Sequence, residues 1–297
     1  MSGMQPTDKE IDRAERLMLS RRRMIRDVCA ATGWVFVSGA RVAYSTDPIV
    51  TGDPKNSSKE WGKIKGRVIY EGTIPAQKEI ELDKAGLPAN DLTWFKSMGP
   101  VLNQEWVIQP KSKGIQWVYV WLLPEDSKGV IKVHRALKEI PAERKKILVD
   151  QEPSGYVPHT VGLQIGQGIV MRNQGPVQHV FNFAGFANAP FNRVMPPGSE
   201  VSVDEFKLER AALQINCPPH PWERMWLRTF SHPYFAVTGV DGAFEIPLAP
   251  AGKGRLVVWH EQAGFLGGKT GRDGSIIDVS GAAITDLGDI KLSAKTT

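Results

Sequence analysis

Cysteine is almost absent from this sequence: 297 residues contain only Cys29 and Cys217. Two are too few for a disulfide framework, so a packed core must hold the chain together. Long apolar runs are missing too. The best stretch, Val28 to Tyr44, is interrupted by Arg41 and is too short and too polar for a comfortable membrane span. Charge of one sign does not gather into blocks, because the 37 lysines and arginines are scattered among 32 acids. Without a basic stripe or aromatic platforms, that mixing argues against nucleic acid as a partner, despite a formal net charge of +5. There is no phosphate-cradling glycine loop, coiled coil or low-complexity tract. Paired carboxylates, a Ser/His/Asp signature and a second histidine cluster for oxygen chemistry are also missing, so the chain does not read as an enzyme.

What is present is the punctuation of an all-β protein. Glycine (29 residues) and proline (21 residues) fall between short runs rich in Val, Ile and aromatics. Strands are expected at Ile64, Arg67 to Tyr70, Ile80 to Leu82, Lys146 to Val149, Val161 to Ile165, Gly168 to Arg172 and Val180 to Phe183. The run Ile115 to Leu123 is apolar at nearly every position, which predicts a strand buried on both faces. Ala136 to Lys146 reads as a short helix or excursion. Tyr234 to Val237, Ala243 to Ile246 and Arg255 to Trp259, separated by turns at Asp241-Gly242 and Pro250 to Gly252, read as β-hairpins, and Ile284 to Leu292 as a final alternating strand.

The N-terminus has a different character. Residues 7 to 26 are polar and helix-favouring, end in Ser20-Arg21-Arg22-Arg23-Met24-Ile25-Arg26, and are followed by a mildly apolar stretch. This resembles a twin-arginine export signal, with Ser38 to Ala40 as a poor cleavage site. Uncut, residues 20 to 44 would tether the protein to the membrane. The implied location is periplasmic or at the cell surface.

Cys217-Pro218-Pro219-His220, with Met225 downstream and His179 upstream, carries the chemistry. A thiolate, two imidazoles and a thioether are the donor set of a blue-copper centre, in which a weak axial bond leaves the metal acceptable as both Cu(I) and Cu(II). Two ligands three positions apart cannot both point inward from an extended strand, so Pro218-Pro219 must bend the backbone after a strand that ends at Asn216. Met225 is the preferred fourth ligand and Glu223 the alternative. A carboxylate there would favour Cu(II) or Zn(II) and lower the potential.

Residues 146 to 231 resemble the cupredoxin family, a Greek-key β-sandwich. The resemblance rests on Tyr156-Val157-Pro158, Gln164-Ile165-Gly166-Gln167, Val170-Met171-Arg172-Asn173 and Gln178-His179, and the copper loop is plastocyanin-like. It implies copper ligation by His179, Cys217 and His220. Further motifs, Asn188-Ala189-Pro190-Phe191-Asn192, Cys217 to Trp222, His232-Pro233-Tyr234, Asp241-Gly242-Ala243-Phe244 and Trp259-His260-Glu261, are similar to exported bacterial proteins of a methylamine-utilisation-like group. That group joins a cupredoxin to a carboxypeptidase regulatory-like domain, a transthyretin-like β-sandwich of carbohydrate-binding-like fold. It usually has methionine directly after His-Pro-Trp, where this chain has Glu223.

The resemblance implies this organisation: an export signal or anchor and linker in residues 1-60, the first part of the regulatory-like sandwich and an excursion in 61-145, the cupredoxin in 146-231, and the second part of the sandwich in 232-297. The implied function is one-electron transfer between unidentified redox partners by one copper ion, with His220 offering an edge to a partner. The alternatives are a β-sandwich module that binds polysaccharide or protein without metal, and a redox-silent zinc site.

Overall fold

The computed structural model describes residues 59–126 and 129–294. The export segment, its cleavage site, the tether and Cys29 lie outside the described residues. The first part of the described chain gives strand β1 (Trp61–Tyr70), helix α1 (Ala89–Ser97) and β2 (Tyr119–Pro124). A central block follows with β3 (Lys146–Glu152), β4 (Gly155–Val157), β5 (Thr160–Gln164), β6 (Gly168–Asn173), β7 (His179–Phe183), β8 (Phe191–Met195), β9 (Glu200–Val203), β10 (Leu213–Asn216) and β11 (Arg224–Phe230). The last part gives β12 (Phe235–Val237), β13 (Ala243–Pro250), β14 (Gly252–His260), β15 (Gly264–Phe265), β16 (Ser275–Val279) and β17 (Ile284–Leu292). The fold is all-β, as the residue pattern predicts.

The strands sort into four sheets. In the first, β1 lies between β13 and β17, antiparallel to one and parallel to the other. The second runs β12-β2-β14-β15, with β16 also on β14. These two share one apolar core, in which Ile64 and Val68 of β1 meet Val120 and Leu122 of β2 and Ile246 of β13. The central block forms the other two sheets, β4-β3-β6-β9 and β5-β11-β10-β7-β8. Their common core includes Val149, Ile169, Met171, Phe181, Ile215 and Leu227.

A third cluster joins the two sandwiches and explains the unbroken apolar run in β2. Val120 and Leu122 point into the first core, whereas Tyr119 and Trp121 point the other way, onto Phe230, Trp226 and Trp259. The alternation of side chains along a strand makes one strand serve two cores. The Tyr119 hydroxyl lies 2.8 Å from the carbonyl of Val161 and 2.9 Å from that of Trp226, across the seam.

Three local expectations fail for identifiable reasons. Trp117 adopts a positive φ of 70°, which breaks the apolar run and delays β2 to Tyr119. The turns at Asp241-Gly242 and Pro250 to Gly252 exist, but β12 and β14 belong to one sheet and β13 to another, so they are crossovers rather than hairpins. Ile80 to Leu82 is no strand; an isolated bridge between Glu79 and Leu102 precedes it, and a 3-10 turn, Leu82–Lys84, begins at its last residue. The segment from Ala136 to Lys146 contains a 3-10 turn, Ala142–Arg144, just before β3.

The excursion between β1 and β2 positions the site. Phe95 of α1 is buried with Leu82, Val101 and Val177, and Trp94 and Trp222 pack around them. Burying each large apolar side chain stabilises such a cluster by about 1.5–3 kcal/mol, enough to fix a short helix against the end of the central sandwich. Arg224, next to the 217–223 loop, pairs with Glu105 of the excursion.

Candidate metal centre

β10 ends at Asn216, paired with Asn182 of β7 and with Arg224 of β11. Between β10 and β11 the chain makes a closed loop. The N–H of Cys217 donates to the carbonyl of Glu223 (3.0 Å), that of His220 to Cys217 (2.9 Å), and that of Glu223 to His220 (2.8 Å). The three prolines in the loop, Pro218, Pro219 and Pro221, have no N–H to leave unsatisfied, which suits them to this bend. Cys217, His220 and Glu223 therefore project from one pinched loop at the rim of the sandwich.

His179 arrives as the first residue of β7, on the inward-facing alternation shared with Phe181 and Phe183. Its approach is fixed by Asn173, whose amide donates to the carbonyls of Val177 (2.8 Å) and Met195 (2.9 Å) while its oxygen accepts from Gly175 (3.0 Å). At Gly155, with φ +123°, an added Cβ would lie 3.4 Å from the Cα of Glu223, so the β3–β4 connection packs closely on the loop.

The side chains converge on one point. The Nδ1 atoms of His179 and His220 are 3.1 Å apart, and Sγ of Cys217 lies 3.5 Å from Nδ1 of His220 and 3.9 Å from Nδ1 of His179. Oε2 of Glu223 lies 2.9 Å from Nδ1 of His179 and 3.2 Å from Nδ1 of His220. All four ligand atoms fall within 4.8 Å of one another, and none of the four residues is more than 1% exposed. Metal–nitrogen bonds near 2.0–2.1 Å and metal–sulfur bonds near 2.3 Å give ligand-to-ligand edges of about 3.3–3.6 Å around a tetrahedral ion, close to the spacing found here.

Electrostatics point the same way. Burial pushes the Cys217 thiol well above its ordinary range, and the neighbouring Glu223 carboxylate adds to the shift. Burial opposes the charged form of His220, but Glu223 and then Asp91 overrule it, so its pKa is raised. The N–H of Val180 donates to Sγ of Cys217 (3.3 Å), which favours a thiolate. The other carboxylate oxygen of Glu223, Oε1, is buried without a partner. Two potential anions and two converging lone pairs, shut away from water, form a costly arrangement that a divalent cation would neutralise. The donor set therefore fits a metal ion.

Met225 lies on β11 opposite Ile215, fully buried in the apolar core that also receives Cys217. Glu223 touches both imidazoles. The expectation of an open His220 edge is overturned: His220 is 0% exposed, because Phe95 meets its ring edge-on at 4.9 Å and Trp222 covers it at 5.5 Å.

Two contributors were invisible in the sequence. Gln151 of β3 donates its amide to Oε2 of Glu223 (2.6 Å), and Asp91 of α1 sits 3.5 Å from Nε2 of His220. Both come from remote segments without a motif, and only the tertiary fold brings them to the loop. The other described histidines stand outside the cluster. His159 pairs with Glu261 at 2.5 Å, and His260 stacks on Trp106.

No family model and no curated protein sequence matches the chain. Among solved structures it is similar to cupredoxins. The purple cupredoxin of Nitrosopumilus maritimus aligns at 14% identity over 28% of this chain and 98% of its own, with a TM-score of 0.24. A single-residue variant of amicyanin in its Cu(I) state aligns at 18% identity over 29% of this chain and 83% of its own, TM-score 0.26. A second, reduced amicyanin variant aligns at 18% identity over 31% of this chain and 87% of its own, TM-score 0.27.

Proposed function

We propose that this chain is a mononuclear copper protein that carries single electrons and has no substrate of its own. The observation that carries the reading is the buried convergence of Cys217 Sγ, His179 Nδ1, His220 Nδ1 and Glu223 Oε2 within 4.8 Å. In this reading Cys217, His179 and His220 hold the ion. Glu223 takes the fourth position, in place of the Met225 that the sequence favours, because its carboxylate reaches both imidazoles. Bound copper would supply one-electron chemistry between Cu(I) and Cu(II).

The protein's own groups do the rest. Gln151 steadies the Glu223 carboxylate, and Asn173 fixes the loop ahead of His179. Phe95 and Trp222 exclude water, so an electron reaching His220 from a partner redox protein passes these rings rather than a bare imidazole edge. The regulatory-like sandwich, interrupted by the central block, is a rigid support, its seam closed by Tyr119, Trp121 and Phe230. Export to the periplasm or cell surface, by way of residues 1-60, belongs to the same reading. Among the described residues no helix is long and apolar enough to cross a membrane.

A second reading is a redox-silent zinc site, favoured by the same Glu223 contact, since two imidazoles, a thiolate and a carboxylate suit tetrahedral Zn(II). A redox titration of copper-loaded protein separates the two. A reversible one-electron wave supports the carrier, whereas a protein that keeps zinc against excess copper and shows no wave supports the structural site.

A further inference from the structure

We propose that Asp91 is a positioning residue for this centre: it accepts the Nε2–H of His220 and so fixes Nδ1 as the nitrogen that faces the metal. The inference rests on the reading of His220 as a ligand and extends it to the excursion, which carries no ligand itself. Asp91 lies in the first turn of α1, with Oδ2 at 3.5 Å from Nε2 of His220. Phe95, four positions on and hence on the same helix face, holds the same imidazole edge-on at 4.9 Å. The helix thus presents a carboxylate and an aromatic ring to one histidine.

The two histidines differ in this respect. Nε2 of His179 is buried with no partner, so nothing at that nitrogen selects its tautomer. Asp91 has no other ionic partner among the described residues. A carboxylate on the outer nitrogen of a ligating imidazole fixes the ring's tautomer and orientation and makes the inner nitrogen a better donor. The helix is anchored independently of Asp91, through the buried cluster of Phe95, Leu82, Val101 and Val177, so loss of this one side chain leaves the cap in place.

The test uses the full chain with Asp91→Ala and Asp91→Asn, measuring Zn(II) and Cu(II) affinity against a chromophoric chelator, the visible spectrum of the copper form, and the thermal midpoint without metal. Asp91→Ala should bind both metals about 10- to 100-fold more weakly, the usual consequence of removing such a partner. Its copper spectrum should shift, while the metal-free midpoint stays at the wild-type value. Asp91→Asn keeps an acceptor oxygen and should recover part of the loss. Wild-type affinity and spectrum in Asp91→Ala would overturn the proposal, as would a fall in the metal-free midpoint with affinity unchanged. Wild-type protein that binds neither metal overturns the metal reading itself, a result distinct from tight wild-type binding that Asp91→Ala leaves untouched.

Discussion

Oε2 of Glu223 stands 2.9 Å from Nδ1 of His179, inside the space that a shared ion would need. A hard, negatively charged oxygen in place of a thioether stabilises Cu(II) over Cu(I). Glu223→Met should therefore raise the reduction potential of the copper form. Each tenfold change in the relative affinity for the two oxidation states corresponds to about 59 mV, so a rise of about 60–120 mV is expected by spectroelectrochemical titration. An unchanged or lower potential would place the carboxylate outside the coordination sphere.

Gln151 holds that carboxylate through a 2.6 Å hydrogen bond, and its own Oε1 is buried without a partner. Gln151→Leu keeps the volume but frees Glu223. Copper affinity measured by competition should fall about tenfold, the lower end of the range for outer partners of a metal ligand. Binding equal to wild type would show that the loop alone holds Glu223.

Tyr119 ties the two sandwiches through its hydroxyl, near the carbonyls of Val161 and Trp226. Tyr119→Phe leaves buried acceptors without their donor and should cost about 1–2 kcal/mol in denaturant unfolding, with the copper spectrum unchanged. A spectral change would mean that the seam and the metal loop are mechanically coupled.

Acid should weaken the fold through His260. Burial pushes its pKa from 6.5 down to about 4, with His159 adding to the effect against the opposing pull of Glu261. Between about pH 6.5 and about pH 4 the unfolded chain binds a proton there and the folded chain does not, so stability falls as pH falls through that window. At 1.36 kcal/mol per pKa unit the loss reaches about 3 kcal/mol at the acid end. His260→Phe, which keeps an aromatic ring against Trp106, should flatten this part of the curve of unfolding free energy against pH. Parallel curves for the two proteins would assign the acid sensitivity elsewhere.

The bend of the 217–223 loop was legible because its information is local: Cys217, Pro218, Pro219 and His220 dictate a turn and bring candidate donors together within a few residues. The double-sided burial of β2 was legible too, since no other strand packing suits consecutive Tyr119, Val120, Trp121 and Leu122. Turn chemistry at Asp241-Gly242 announced a reversal but not its partner. The choice between pairing β13 with a neighbour or with β1 is made by the core of Ile64, Val68 and Ile246, which no short window contains. α1 escaped because its sequence is mostly polar, with Leu92, Trp94 and Phe95 as its few apolar positions, and its role depends on a loop far along the chain. That burial, supplied from a distance, is also why the closed face of His220 could not be foreseen.

The most direct measurement is a Cu(II) titration of the purified metal-free protein followed by visible absorption, with Cys217→Ser alongside. An intense thiolate-to-copper band should saturate at one equivalent in the wild type and be missing from the variant. A wild-type protein that stays colourless with copper bound, or a band that survives the loss of Cys217, would contradict the copper reading of the site.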